Sequence, residues 1–363
     1  MAIKSPSFHH RMALLAIFAG FLTFVLLLLP VVARSDPAED ALNEGLSLHD
    51  AGNFKEAIIR YDRAVRLNPR FVDAYFNRGN AYYDLGQYDR AIKEYSEVIR
   101  LSPKDGEAFY NRGNAYRRLG QHERALRDYT AAIRLAPDDA EIYVNRGSVY
   151  YSMKSYAAAL KDYDAAIRIN AKDPDAYYNR ANTYSKLGKT EQALEDYSKA
   201  LSLNPELAEA QYNRAIIYAE LGLFEKAIND YSEVLRANPK SAVAYYNRGL
   251  AHFRLERNDE AINDYTQAIR LNPKDTEAIY NRGLVYARTG DYERAARDYT
   301  EVILRNPRNA EAYGQRGLIR LHQGKKAEAE GDFKKAYQLD KTLKKRLQPL
   351  IDEVRPSPAK PKS

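Results

Sequence analysis

Seven asparagines stand 34 residues apart: Asn77, Asn111, Asn145, Asn179, Asn213, Asn247 and Asn281. Asn43 precedes them in the same phase, and Gln315 follows. A carboxamide offers a donor and an acceptor, the same two functions that a peptide group presents. A row of carboxamides could therefore grip an extended polypeptide by its backbone, whatever its side chains. The residue before each asparagine is Phe76, Tyr110, Val144, Tyr178, Tyr212, Tyr246 and Tyr280 in turn. Aromatic rings beside such a row suit the side chains of a bound peptide. Both sets also have structural uses. The asparagines could bond a neighbouring segment's backbone and stiffen the molecule, and the rings could belong partly to the core. Asparagine is a mediocre helix residue, so its recurrence at one phase requires one reason or the other.

Other chemistry is sparse. Apart from His9 and His10 near the start, the histidines His49, His122, His252 and His322 do not share a phase, no metal-ligand spacing occurs, and cysteine is absent. The glycines follow the repeat and form no phosphate loop. This excludes disulfides and thiol catalysis and leaves no catalytic constellation. The expectation is a non-enzymatic protein with no cofactor. Two charge patterns remain. Acids recur at Glu39, Asp73, Glu107, Glu141, Asp175, Glu209, Glu277 and Glu311, with Val243 the exception. They fit either a basic ligand or the dipole of a helix's first turn. An arginine follows each asparagine from Arg78 to Arg282, and Arg316 follows Gln315. Sixteen residues later comes an acid: Arg78 with Glu94, then Arg112–Asp128, Arg146–Asp162, Arg180–Asp196, Arg214–Asp230, Arg248–Asp264, Arg282–Asp298 and Arg316–Asp332. The first copy reverses the signs, with Glu44 and Arg60. Such a swap predicts that the two groups touch.

One repeated stretch must position all of these. The pattern of Val72 to Asp105 returns at Gly106, Ala140, Pro174, Ala208, Ala242, Thr276 and Ala310, and a weaker copy begins at Ala38. Nine units without insertion or deletion cover 38–343, the mark of a repeat array. With each unit numbered 1 to 34, the acids lie at 2, the aromatics at 5, the asparagines at 6, the arginines at 7 and their acids at 23. Apolar or small residues recur at 4, 8, 11, 14, 17, 20, 24 and 27, which predicts two amphipathic helices broken near 15. Position 15 is glycine in seven units, as a helix end with positive φ requires, and Lys154 and Glu256 depart from it. Proline at 32 in seven units ends the second helix. Asp105, Asp139, Asp173, Ser241, Asp275 and Asn309 at 34 are predicted caps for the next one. In an antiparallel hairpin, positions summing to about 31 meet, so glycine or alanine at 8 faces the aromatic at 24 and alanine at 20 faces tyrosine at 11.

These residues resemble the tetratricopeptide repeat family: aromatic at 4, Gly at 8, Tyr at 11, Ala at 20, aromatic at 24, Ala at 27 and Pro at 32, over 38–343. The resemblance implies an all-α, right-handed solenoid of helix-turn-helix units. It also implies a concave groove lined by the first helices, with positions 2, 5, 6, 9, 12 and 13 facing a protein or extended peptide. The asparagine row resembles that of O-linked N-acetylglucosamine transferase. Arginine at 7 departs from the family's usual leucine. The acids at 2 count against a resemblance to the carboxylate-clamp subgroup, which needs Lys or Arg on the groove face.

The net charge is +7, with +2 in residues 1–37 and +5 in 341–363, so the stretch between is neutral overall. That distribution does not support nucleic-acid binding. Residues 12–33 contain no charge, enough to span a bilayer as a helix, and basic residues precede them while acids follow. The expectation is an exported, periplasmic array, either tethered through 12–33 or released by cleavage near Ala33. The domain reading is a leader with signal or anchor over 1–37, nine units over 38–343, a capping helix over 344–354, and a disordered basic tail over 355–363. The capping helix is read from Leu343, Leu347, Leu350, Ile351 and Val354. The expected function is a protein- or peptide-binding scaffold. The alternatives are a spacer or self-assembly module of the cell envelope, and a regulatory subunit of an envelope enzyme.

Overall fold

The structure is a computed structural model that describes residues 36–354. The expected leader, membrane segment and basic tail fall outside the described residues. Among the described residues there are nineteen helices and no strand, and no helix is long and apolar enough to cross a membrane. The helices alternate as the repeat requires: α1 (Pro37–Asp50) and α2 (Phe54–Leu67) form unit 1, α3 (Val72–Asp84) and α4 (Tyr88–Leu101) unit 2. The series continues to α17 (Ala310–His322) and α18 (Lys326–Leu339) of unit 9, then α19 (Leu343–Val354). The fold is an all-α solenoid.

Each hairpin closes on one ring. The tyrosine at 24 is 0–2% exposed from Tyr61 to Tyr299. The small residue at 8 makes room for it: a Cβ on Gly147 would lie 2.7 Å from the Tyr163 ring, and one on Gly79 would lie 2.7 Å from Tyr95. Alanine at 20 is fully buried in all nine units, from Ala57 to Ala329. Large-on-small packing of this kind lets two helices approach closely. All six expected caps form. For example, Asp105 accepts from the Ala108 amide at 2.9 Å, and Asp275 accepts from Glu277 and Ala278 at 3.0 and 3.1 Å. Phe71 and Leu207, which take the same place, give no side-chain cap.

The turn at position 15 is left-handed throughout. Seven glycines have φ between 69° and 80°, and Lys154 and Glu256 are held at 60°. A Cβ at these glycines would meet nothing within 4 Å, so backbone conformation alone selects glycine. A residue with a Cβ costs about 1–2 kcal/mol there, and glycine's greater loss of freedom on folding returns part of it. Lys154→Gly and Glu256→Gly should therefore each stabilise the array by about 0.5–1 kcal/mol, read as a higher denaturant midpoint. The exposed ion pair of Glu256 with Arg288, at 2.7 Å, subtracts little.

α19 continues the stack against α17. Leu343, Leu347 and Ile351 are buried with Leu318 and Leu321, whereas Leu350 faces outward at 43% exposure. Position 5 of unit 9 is Gly314, where a Cβ would lie 2.8 Å from Leu347. Glycine at position 5 of the last unit thus makes room for this helix.

Candidate functional site

The arginine at 7 sets the spacing of the units. Arg112 donates Nε and Nη2 to both oxygens of Asp128 at 2.8 and 2.9 Å, and Arg180 does the same to Asp196 at 2.7 Å each. All eight expected pairs form. The reversed pair of unit 1, Arg60 and Glu44, also meets, at 3.2 Å. The aspartates are only 2–6% exposed. Burial pushes the Asp196 carboxyl up despite Arg180, while hydrogen bonding to Asp196 holds Arg180 more firmly protonated.

Sequence reasoning missed the third contact. Nη1 of each arginine crosses to position 25 of the preceding unit: Arg112 to Ser96 Oγ at 2.9 Å, Arg146 to Thr130 Oγ1 at 3.1 Å, Arg180 to Asp164 Oδ1 at 2.7 Å. The signal was present. Position 25 is Asp, Ser or Thr in units 1 to 8, each followed by an arginine, and Lys334 in unit 9, which no such arginine follows. The departure from the family's leucine is a fastener between units.

With the units locked in register, the asparagines fall on one face in half-buried positions. Most are engaged with the preceding unit. Asn145 donates to Tyr110 Oη at 2.7 Å, Asn247 to Tyr212 Oη at 3.1 Å and Asn281 to Tyr246 Oη at 3.0 Å. Asn213 donates to Asn182 Oδ1 at 3.0 Å, and Asn77 to the Asp73 carbonyl at 2.8 Å. The side chains of Asn111 and Asn179 bond no other described residue. The reason lies one unit back, where Phe76 and Val144 offer no hydroxyl. Two of these tyrosines also reach the acids at 2: Tyr110 donates to Glu141 at 2.5 Å and Tyr246 to Glu277 at 3.5 Å. The acids that follow Phe76 and Val144 lack such a donor, and burial raises the pKa of both Glu107 and Asp175. Burial also raises the phenols of Tyr110, Tyr212 and Tyr246, and pushes Tyr280 up to about 12.

Three clefts open on this face. One of ≈ 1010 Å³ lies where Val144 replaces a tyrosine, and its lining includes Asn145, Glu141, Asp173 and Asp175. One of ≈ 450 Å³ holds Tyr178, Asn182, Lys186, Asn213 and Ile216. One of ≈ 300 Å³ holds Tyr246, Glu277, Tyr280 and Asn281. Position 9 forms part of the wall and also serves the core. The buried tyrosine at 24 donates to it, as Tyr95 to Asn80 at 2.8 Å, Tyr129 to Asn114 at 2.7 Å and Tyr197 to Asn182 at 2.5 Å. His252 replaces a tyrosine at 11; it is half-buried, its Nδ1 has no partner, and burial lowers its pKa. Among the described residues no group of side chains could hold a metal ion.

The geometry is one hairpin repeated nine times, with a polar face of regular phase. The TPR repeat family model matches residues 45–86, 79–120, 113–154, 147–188 and 217–256. Two further tetratricopeptide repeat models match 174–207 and 242–275, and 280–343. Similar solved structures include YrrB, described as a TPR protein with an unusual peptide-binding site, at 25% identity and TM-score 0.46. That match covers 52% of this chain and 97% of YrrB. A tetratricopeptide repeat protein from Parabacteroides merdae is 29% identical at TM-score 0.46, with 68% of this chain and 98% of that one covered. PilF of Pseudomonas aeruginosa is 20% identical at TM-score 0.51, with 56% and 92% covered. No curated protein matches the chain. The repeat models together span the units from Gly45 to Leu343, and the hairpin contacts they presuppose are those observed, so the chain belongs to the tetratricopeptide repeat family.

Proposed function

We propose that this array is a non-enzymatic scaffold that binds an extended segment of a partner protein along the face of its first helices. Tetratricopeptide arrays are protein-interaction scaffolds, and the specific reading rests on one observation. Asn111 and Asn179 are half-buried on that face, in phase with the other asparagines, and their carboxamides are unpaired. A peptide backbone laid beside them would complete both. Its own groups, stripped of water, would each cost about 1–3 kcal/mol if left unmade.

The test uses peptides selected from a random library for binding to the array. Asn111→Ala with Asn179→Ala should weaken their binding by about 2 kcal/mol or more, roughly thirtyfold. The melting temperature should hold or rise, because neither side chain bonds the array and alanine is the better helix former. Selected peptides that bind the double variant as tightly as the wild type would refute the reading. The remaining asparagines have a second role. Asn145, Asn247 and Asn281 tie consecutive units through tyrosine hydroxyls, which favours a structural share for those three.

A further inference from the structure

Position 9 changes character along the array. After Leu46 in unit 1 it is polar in units 2 to 5, as Asn80, Asn114, Ser148 and Asn182, and aliphatic again in units 6 to 9, as Ile216, Leu250, Leu284 and Leu318. The second change removes the acceptor that the buried tyrosine at 24 uses in units 2 to 5. Tyr265 and Tyr299 are fully buried, and their hydroxyls have no hydrogen-bond partner. A buried hydroxyl left unmade opposes folding, a cost that falls on units 7 and 8. Conflicts of this kind concentrate at functional sites.

Unit 7 carries the change furthest. Its first helix, α13 (Ala242–Arg254), bears Val243, Tyr246, Leu250 and Phe253 at positions 2, 5, 9 and 12. Spacings of three, four and three put them on one helix face. In the other eight units position 2 is an acid. Val243 is 57% exposed, and the other three are half-buried. Arg288 lies 5.2 Å from the Phe253 ring centre, and the Tyr246 hydroxyl meets Glu277 at 3.5 Å. The acid row resumes on both sides, at Glu209 and Glu277. Unit 7 also breaks the repeat at 11 with His252 and at 15 with Glu256, so its departures cluster.

Building on the peptide-binding reading above, we propose that unit 7 is the anchor seat of the groove. It takes one large apolar side chain of an extended partner segment, flanked on each side by a lysine or arginine. The apolar stripe of Val243, Tyr246 and Leu250 receives the anchor. Glu209 and Glu277, one unit away on either side, pair with the cations. A chain rising about 3.3 Å per residue covers about 10 Å in three residues, the separation that the probe sets between the anchor and each cation.

The probe is a fluorescein-labelled peptide, Ser-Lys-Gly-Ser-Phe-Gly-Ser-Lys-Ser, with two relatives that carry Ser for Phe or Glu for both Lys. Fluorescence polarisation should show the parent binding the full-length array at least about tenfold more tightly than either relative. Val243→Glu with Leu250→Asn restores the repeat's own residues and gives Tyr265 an acceptor. In that variant the preference for Phe should vanish while the melting temperature holds or rises. The proposal is overturned if the wild type binds the Phe and Ser peptides equally, if the variant keeps the preference, or if the variant melts markedly earlier with affinity unchanged. In the first case, binding that still falls with Asn111→Ala and Asn179→Ala leaves the groove reading standing without its anchor. Binding of none of the three peptides removes the anchor. Library peptides that also ignore the asparagine changes remove the groove reading as well.

Discussion

Arg180→Ala should destabilise the array by about 3–5 kcal/mol, the cost of leaving a buried charge without its partner. Asp196 is 4% exposed and receives two charge-assisted bonds from this one guanidinium. Asp164 of the preceding unit loses its bond as well, so the cut falls on the hairpin and on the junction between units 4 and 5 together. Stability in a repeat array is the sum of unit terms and nearest-neighbour terms, and this residue enters both. Arg60→Ala makes the comparison. Its pair with Glu44 is exposed on both sides and should be worth less than about 1 kcal/mol. Replacing Arg180 and Asp196 together by leucines should recover most of the loss, because neither charge is then stranded. Urea unfolding of the three variants gives the energies, and amide exchange should show units 4 and 5 opening first in Arg180→Ala. An Arg180→Ala loss no greater than that of Arg60→Ala would show that the buried fork contributes nothing beyond a surface pair.

Alkaline solution should unfold the array steeply. Eight tyrosines at position 24, from Tyr61 to Tyr299, are 0–2% exposed. Burial pushes the phenols of Tyr61, Tyr129 and Tyr163 up to about 12, and it raises Tyr95, Tyr197, Tyr231, Tyr265 and Tyr299 still further. In the unfolded chain a phenol titrates near 10. The folded value is the raised one, so each phenol's contribution is fully present below about pH 10 and is lost as pH rises from there towards 12 or beyond. Each subtracts up to about 1.4 kcal/mol per pH unit in that window. Eight together remove on the order of 10 kcal/mol one unit above the start. Phenolate absorbance from these residues should therefore appear together with loss of helical circular dichroism. Phenolate absorbance that rose fully while the helices stayed intact would show that the rings are not held neutral by burial.

The sequence by itself determined the fold, because the fold follows from local rules repeated nine times. Helical spacing, a left-handed stop at position 15 and a cap at 34 are each decided within a few residues. The contact between the glycine at 8 and the ring at 24 was equally legible, since one must be small where the other is large. The arginine–acid pairs were found because unit 1 swaps their signs, and a swap is visible without coordinates. Interactions that cross from one unit to the next were decided only by the tertiary structure. A residue's phase names its face, but not which neighbour its end can reach. The third bond of each arginine depends on how far one hairpin is rotated against the last. Whether an asparagine ties back to the preceding unit depends in part on the residue 35 positions earlier: Tyr110 offers Asn145 a hydroxyl and Val144 offers Asn179 none, whereas Asn213 turns from Tyr178 to Asn182. For that reason one row of identical side chains divides into members that hold the stack together and members whose carboxamides bond no other described residue.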